Sequence, residues 1–245
     1  MKSMITLVPT LNRIKLLRQF LDSAFRHRTS TSGWLIVDKE DYHNQRLNYE
    51  GLEMPNSSWQ LVTTKAVTMG DKIREVWPDV MAGDYDAVCL LNDDHEIKTD
   101  NWDTKLLSKL DGTNFVTCQD NWMSPRKAAG ATVWSMELLK AVGFPIYPPG
   151  MIHLFIDDLW ESIGKGSGCW DIDHSVVVEH HNQLKTPGQR DSTFNKVYGT
   201  GPDLASHPLW KNDEKIYQEF TKNDYIAVRQ KIRALKGMLE IKLQS

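Results

Sequence analysis

The stretch Ala87-Val-Cys-Leu-Leu91 runs straight into Asn92-Asp93-Asp94-His95-Glu96-Ile97. Five consecutive apolar residues have the length and content of a strand buried on both faces, which is how central parallel strands read. Open α/β sheets place their ligands outside the carboxyl ends of such strands, so the position of Asp93 and Asp94 carries more information than their number. Asp-Asp pairs occur twice, at 93–94 and 157–158, no more often than chance gives for 21 aspartates. Two carboxylates held together at a strand end repel each other and invite a divalent cation, which in turn recruits a diphosphate.

Working outward, Met4 to Val8 is apolar and ends in Pro9-Thr10, after which Leu16, Leu17, Phe20, Leu21 and Ala24 recur at helical spacing. Trp34 to Val37 predicts a short strand ending at Asp38. Trp59 to Thr63 predicts another, followed by Gly70 and a helix through Ile73, Trp77 and Met81, with Pro78 bearing on its end. A helix over Trp102 to Leu110 and a strand over Phe115 to Cys118 complete an alternation that reads as right-handed βαβ units.

The second half is less regular. It predicts a strand at Ala131 to Trp134, a helix at Met136 to Val142 stopped by Gly143, and a proline-rich loop from Pro145 to Pro149. A short helix from about Asp157 is expected to stop at the Gly164, Gly166 and Gly168 cluster, followed by strands at Cys169 to Ile172 and Ser175 to Glu179. From Asp213 onward two helices are expected, the last with Ile226, Ile232, Leu235 and Leu239 in phase. The expected organisation is one α/β domain over 1–210, with halves 1–120 and 121–210, and a helical appendage over 211–245.

At 245 residues, 40% hydrophobic and 25% charged, the composition is that of an ordinary globular chain and excludes disordered, collagenous and coiled-coil classes. Apolar runs of about five residues fall far short of the roughly 20 that span a bilayer, so no membrane partner is expected. Cys89, Cys118 and Cys169 are odd in number and lack C-x-x-C spacing, which fits reduced thiols in a cytoplasmic protein and excludes a zinc cluster. Net charge is −3, without an overall cationic footprint for nucleic acid, but Lys222 to Ser245 holds six basic and two acidic residues. The simplest role for that run is a solvated helix face.

The order Pro9-Thr10-Leu11-Asn12-Arg13, a second strand ending in Asp38, Gly70-Asp71-Lys72 opening a helix, then Asn92-Asp93-Asp94-His95 resembles the nucleotide-sugar half of GT-A-fold glycosyltransferases of the family 2 type. The resemblance extends over about 200 residues in order, through Gly130 to Gly143, Asp157-Asp158 and His180. It implies a GT-A-like, mostly parallel sheet flanked by helices. It also implies nucleotide contacts from Thr10, Arg13, Asp38 and Asp93, and a D-x-D-like metal site. Here that slot reads Asn92-Asp93-Asp94, so its first carboxylate is an amide and Asp94 is the ligand carried over. His180, at the end of a strand, is where some members bring a histidine onto the metal, ahead of His95 and His153. An imidazole on the ion favours Mn2+ over Mg2+. Asp157 and Asp158 stand where the family has a general base for the acceptor hydroxyl. A neighbouring carboxylate raises the pKa of such a base, whereas N-capping of a helix is the structural use of the same pair.

The activity that this resemblance implies is metal-dependent transfer of a sugar from a nucleotide diphosphate sugar, uridine-based, to an acceptor hydroxyl with inversion. A glycan and a hydroxymethylated pyrimidine in DNA are the two acceptors in view. The second is motivated by the basic tail and by Trp122, Trp134 and Trp160 in the acceptor half, where aromatic rings could stack an extruded base. A sugar-1-phosphate nucleotidyltransferase needs a glycine-rich loop after its first strand, and Val8 to Asn12 has no glycine. A non-catalytic nucleotide-sugar binding module is the other rival, separable from an enzyme by slow metal-dependent donor hydrolysis.

Overall fold

The computed structural model describes residues 2–120, 131–181, 205 and 207–244. Strands β1 (Met4–Thr10), β2 (Ser32–Asp38), β3 (Trp59–Thr64), β4 (Ala87–Leu90), β5 (His95–Ile97), β6 (Phe115–Gln119), β7 (Thr132–Ser135) and β8 (Trp170–His180) form one sheet in the order β3-β2-β1-β4-β7-β6-β8-β5. The first four strands in that order pair in parallel, β7 is antiparallel to both its neighbours, and β8 pairs parallel with β6 and antiparallel with β5. The helices are α1 (Ile14–Arg26), α2 (Lys39–Asn44), α3 (Arg46–Glu50), α4 (Met69–Ala82), α5 (Trp102–Ser108), α6 (Met136–Val142), α7 (Ile156–Ser167), α8 (Pro208–Asn223) and α9 (Tyr225–Gln244).

Side chains alternate across the strands and divide the core in two. Met4 and Val8 of β1 join Leu17, Phe20, Trp102 and Leu106 on one face. Ile5 and Leu7 join Ile73, Val76, Leu139, Trp160 and Ile232 on the other. The sheet is thereby covered on both sides, as parallel strands require.

The sheet opens at one place. β1 pairs with β4 only as far as Leu7 opposite Leu90, whereas it stays paired with β2 to Thr10. The last β1–β4 link is Leu91 N–H donating to the Leu7 carbonyl. Pro9 points its backbone to the same edge as Leu7, where β4 has already ended, so its missing N–H breaks no ladder. The chain order also reverses here, since β1 leads outward to β2 while β4 lies on its other side. This is the switch point at which open α/β sheets form a crevice.

Several elements differ from expectation. Helix α7 passes through Gly164 and Gly166 and ends only at Gly168, which has φ +62°. The two inner glycines serve close approach: a Cβ on Gly164 would lie 2.5 Å from the Trp170 Cβ, and one on Gly166 would meet the Tyr225 hydroxyl. The two expected strands after α7 are one, β8, with a register shift against β6. Helix α4 carries Pro78 through to Ala82. Burial of Ile73, Val76 and Val80 at ~1.5–3 kcal/mol each exceeds the ~3 kcal/mol that an internal proline costs. In α9 the buried residues are Val228, Ile232 and Leu235, and Ile226 is exposed. Trp134 and Trp160 are core residues, packed on each other at 5.4 Å and on Phe115, so neither can stack a ligand. Trp122 and Gly130 lie outside the described residues. Helices α2 and α3 and strand β5 have no counterpart among the expected elements, and α8 starts at Pro208, ahead of the expected Asp213.

Gly70 sits where α4 begins against the 148–152 loop. Its N–H donates to the Ile152 carbonyl at 2.8 Å, and a Cβ would lie 2.4 Å from the Met151 carbonyl oxygen. Backbone cannot step aside as a side chain does, so Gly70→Ala is expected to destabilise the fold by ~1–3 kcal/mol, read as a lower urea midpoint at unchanged m-value.

Candidate active site

The crevice is built from the ends of β1 and β4. After β1 the chain turns at Asn12 (φ +54°), whose N–H donates to Asp41 Oδ2 at 2.7 Å. Asp41 also accepts from the Tyr49 hydroxyl at 2.6 Å and, through Oδ1, from Gln45 Nε2 at 2.7 Å. This places Arg13 at the head of α1 and aims it across the crevice at β4. There Arg13 Nη1 donates to Asp93 Oδ1 at 3.2 Å and to Asp94 Oδ2 at 3.3 Å, while Thr10 Oγ1 donates to Asp93 Oδ2 at 2.7 Å.

Strand β5 completes the arrangement. It pairs His95 with His180 on β8, which brings the far end of that strand onto the carboxylates. His180 Nε2 stands 3.1 Å from Asp94 Oδ1, and the two imidazoles meet edge to face at 4.7 Å. His95 Nδ1 accepts from the Asn92 N–H at 3.1 Å, so in the neutral ring the proton sits on Nε2. His95 Nδ1 is thus engaged by backbone, whereas His180 Nε2 shares its proton with Asp94 Oδ1, a proton that a metal ion would have to displace in order to use both atoms.

Burial pushes the Asp94 carboxyl up, but the hydrogen bond and charge of His180, with His95 and Arg13, outweigh it and hold Asp94 well below the ordinary range. Burial likewise pushes His180 down, and Asp94, Asp120 and Asp157 together outweigh it and raise it. Asp93 shifts up, because burial and the Asp94 charge exceed the pull of Arg13.

Asp38 also lies at this crevice. It caps α2 by accepting from the Asp41 N–H at 2.9 Å, and its other oxygen is 3.5 Å from Lys72 Nζ. Lys72 is buried and donates to the Thr10 carbonyl as well, tying β2, α4 and β1 together. The resulting cleft holds about 710 Å³, its open mouth included, and is lined by Thr10, Arg13, Lys72, Asp93, His153 and Leu209. A second hollow, bordered by Asp38, Asp41 and Gln45, shares Leu11 and Val67 with it.

Asp157 and Asp158 open α7. Asp158 is exposed. Asp157 is half-buried, accepts no hydrogen bond among the described residues, and is raised to about 7, by burial first and then by Asp158 and Asp120, against the opposing charge of His180. The structure therefore joins Thr10, Arg13, Asp93, Asp94 and His180 by direct contact, links Asp38 through Lys72, and sets Asp157 within the field of His180. Asp158 stays outside. Sequence reasoning missed Asp41, Gln45, Tyr49 and the role of Lys72. The spacing of Asp38 and Asp41, a cap and the third residue of a helix, was the available signal.

The metal implied by the resemblance fits these residues. Asp94 Oδ1 is buried with His180 Nε2 as its neighbour at 3.1 Å, and His95 borders the same cluster. A carboxylate oxygen beside an imidazole nitrogen suits Mn2+ and admits Mg2+.

The sheet order, the switch-point crevice and the flanking helices are those of the GT-A glycosyltransferase fold. The structure is similar to a mannosyltransferase from Pyrobaculum calidifontis in complex with GDP-Man and Mn2+, with TM-score 0.56, 12% identity and coverage of 97% of this chain and 75% of that one. It is similar to S. aureus TarS 1-349 in complex with UDP-GlcNAc, with TM-score 0.53, 12% identity and coverage of 89% and 71%. It is also similar to glucosyl-3-phosphoglycerate synthase from Mycobacterium tuberculosis with Mn2+, UDP and glucosyl-3-phosphoglycerate, at TM-score 0.51, 13% identity and coverage of 74% and 72%. The chain spans 60% of UDP-bound TarS 1-349 and 53% of the longer TarS chain. No family model and no curated protein sequence matches it. Among the described residues no helix is long and apolar enough to cross a membrane.

Proposed function

We propose that the chain is a glycosyltransferase that moves a sugar from a nucleotide diphosphate sugar, UDP-linked in the first instance, to an acceptor hydroxyl with inversion. One observation carries this reading: the buried pair of Asp94 Oδ1 and His180 Nε2, 3.1 Å apart at the switch point, with Asp157 near enough to interact with the charge of the same histidine. Asp94 and His180 would hold Mn2+ or Mg2+, which when bound neutralises charge on the departing diphosphate. Arg13 and Thr10 orient Asp93 and Asp94, and Arg13 presents its guanidinium to the donor cleft. Asp38, at the border of the second hollow, is the nucleoside contact. Asp157 takes the proton from the acceptor hydroxyl, whose oxygen bonds to the anomeric carbon as the bond from that carbon to the diphosphate oxygen breaks. A base with pKa about 7 suits this step near neutral pH.

The acceptor is narrowed by what the C-terminal helices do. Lys231 Nζ donates to the Val142 carbonyl at 3.3 Å, and Lys236 Nζ to the Gly168 carbonyl at 2.6 Å, so both close the ends of α6 and α7. Arg229 lies over the Tyr225 ring at 5.3 Å. With Trp134 and Trp160 in the core as well, these residues serve the fold and lend no support to a hydroxymethylated DNA base, while Trp122 lies outside the described residues. The acceptor we carry forward is a glycan or small-molecule hydroxyl. Replacing Lys231 and Lys236 together by alanine is expected to lower stability by ~0.5–1 kcal/mol in all, the usual worth of cations at helix ends, seen as a lower Tm. Salt-sensitive binding of the wild type to duplex DNA, lost in this double variant, would reverse that choice.

The reading as a whole is tested by a thermal-shift panel of UDP- and GDP-sugars with and without Mn2+, followed by donor hydrolysis. A ligand at 100 times its Kd stabilises by ~2.7 kcal/mol, a readily visible shift. Binding that needs the metal, with slow release of the nucleoside diphosphate, is the expected result. No shift with any donor would overturn the proposal, and binding without turnover would favour a non-catalytic module.

A further inference from the structure

Helix α8 turns one stripe toward the loop that precedes α7. Trp210, Asp213 and Tyr217 stand at i, i+3 and i+7, on one helical face. Asp213 is fully buried, and its carboxylate grips three successive amides: Ile152 N–H on Oδ1 at 2.9 Å, His153 N–H on Oδ2 at 2.7 Å and Leu154 N–H on Oδ2 at 2.6 Å. Its neighbour Asn212 donates to Asp213 Oδ1 at 2.9 Å and to the Gly150 carbonyl at 3.1 Å. The next loop residue, Phe155, has φ +60°. A non-glycine residue occupies that region at a cost on the order of 1–3 kcal/mol and keeps it only where surroundings enforce it. Here the Phe155 ring is stacked on Tyr217 at 5.7 Å and set edge-on to Trp210 at 5.2 Å. Two residues later comes Asp157.

Attachment of a C-terminal helix does not require this. Helix α9 is held against α6 and α7 mainly by Val228, Ile232 and Leu235, with Lys231 and Lys236 at the helix ends. Three charge-assisted bonds to consecutive amides instead define the direction of the backbone, and the clamped ring defines where α7 begins. From these observations we propose that Asp213 is a positioning residue: it fixes 152–154 so that α7 starts with Asp157 held close to His180. The proposal deepens the function proposed above and rests on Asp157 being the base.

The test compares Asp213→Asn in the full chain with the same change in an Asp157→Asn background, using hydrolysis of whichever nucleotide sugar gives the largest Mn2+-dependent shift. A displacement of about 1 Å at a reacting group costs on the order of 100-fold. Asp213→Asn should lose about that in kcat, with KM and the Kd for UDP or GDP within about threefold of wild type. In the Asp157→Asn background the same change should cost less than about threefold, because the group it positions is already gone. Losses that multiply across the two backgrounds, as for independent sites, would overturn the proposal. So would full kcat in a folded Asp213→Asn. Should Asp213→Asn not fold, Tyr217→Leu loosens the Phe155 clamp and is expected to lower kcat about tenfold at unchanged KM, and unchanged kcat there overturns the proposal equally. An inactive Asp157→Asn beside a fully active Asp213→Asn removes this inference alone. A fully active Asp157→Asn removes the base assignment and this inference with it.

Discussion

Asp94→Ala is expected to abolish Mn2+-dependent nucleotide binding and to lower turnover by at least about 10³-fold while the fold survives. The carboxylate stands in the turn between β4 and β5, where Oδ1 meets His180 and Oδ2 meets Arg13, so its loss removes polar contacts at the crevice and little apolar packing. What disappears is the anionic half of the proposed two-residue ligand set. His180 loses its nearest counter-charge, the main influence holding its pKa up against burial. Titration of the variant with Mn2+ and UDP, monitored by melting temperature, checks this. His180→Ala should keep weaker metal dependence, since Asp94 remains. Near wild-type turnover of Asp94→Ala at limiting Mn2+ would place the metal elsewhere.

Asp157→Asn should leave donor binding intact and cost 10²–10⁴-fold in rate, the usual range for loss of a general base. Asp158→Asn should show a much milder loss, because its side chain points to solvent on the first turn of α7, where a negative charge mainly complements the helix dipole. The pH profile supplies an independent check. A base must be deprotonated to act, so with a pKa of about 7 the wild-type rate should rise close to tenfold per pH unit below about 7 and level off above it. Occupation of the metal site adds positive charge and shifts that break to lower pH. In Asp157→Asn the break should vanish. Full activity in both amide variants would favour a retaining mechanism without a protein base.

Much of the architecture was legible along the chain. The run Ala87 to Leu91, the helical spacing from Leu16 to Ala24 and the alternation of strands and helices are local patterns, dictated by which side chains must leave water together. They were enough to locate the central strand and the aspartate pair at its end, because a buried parallel strand advertises itself by being apolar throughout and its carboxyl end is then known. Glycines misled where they were read as breaks. Gly164 and Gly166 look like stops in sequence, and only the approach of Trp170 and Tyr225 shows that they are contact points inside a helix.

The three-residue strand β5 was invisible, since three residues carry no period, yet its pairing with β8 is what delivers His180 to Asp94 across 86 positions of sequence. The fate of the tryptophans and of the basic tail was equally undecidable from composition, because a ring or an ammonium reads the same whether it faces solvent, a ligand or a helix end. The sequence by itself determined the α/β class, the central strand and the acidic residues at its carboxyl end, all consequences of local hydrophobic pattern. Tertiary structure alone decided which of those residues meet, that Asp157 and not Asp158 turns inward, and that Asp213 holds the loop in front of it. Those outcomes depend on long-range strand pairing and on burial of charge against specific partners, and no local period encodes either.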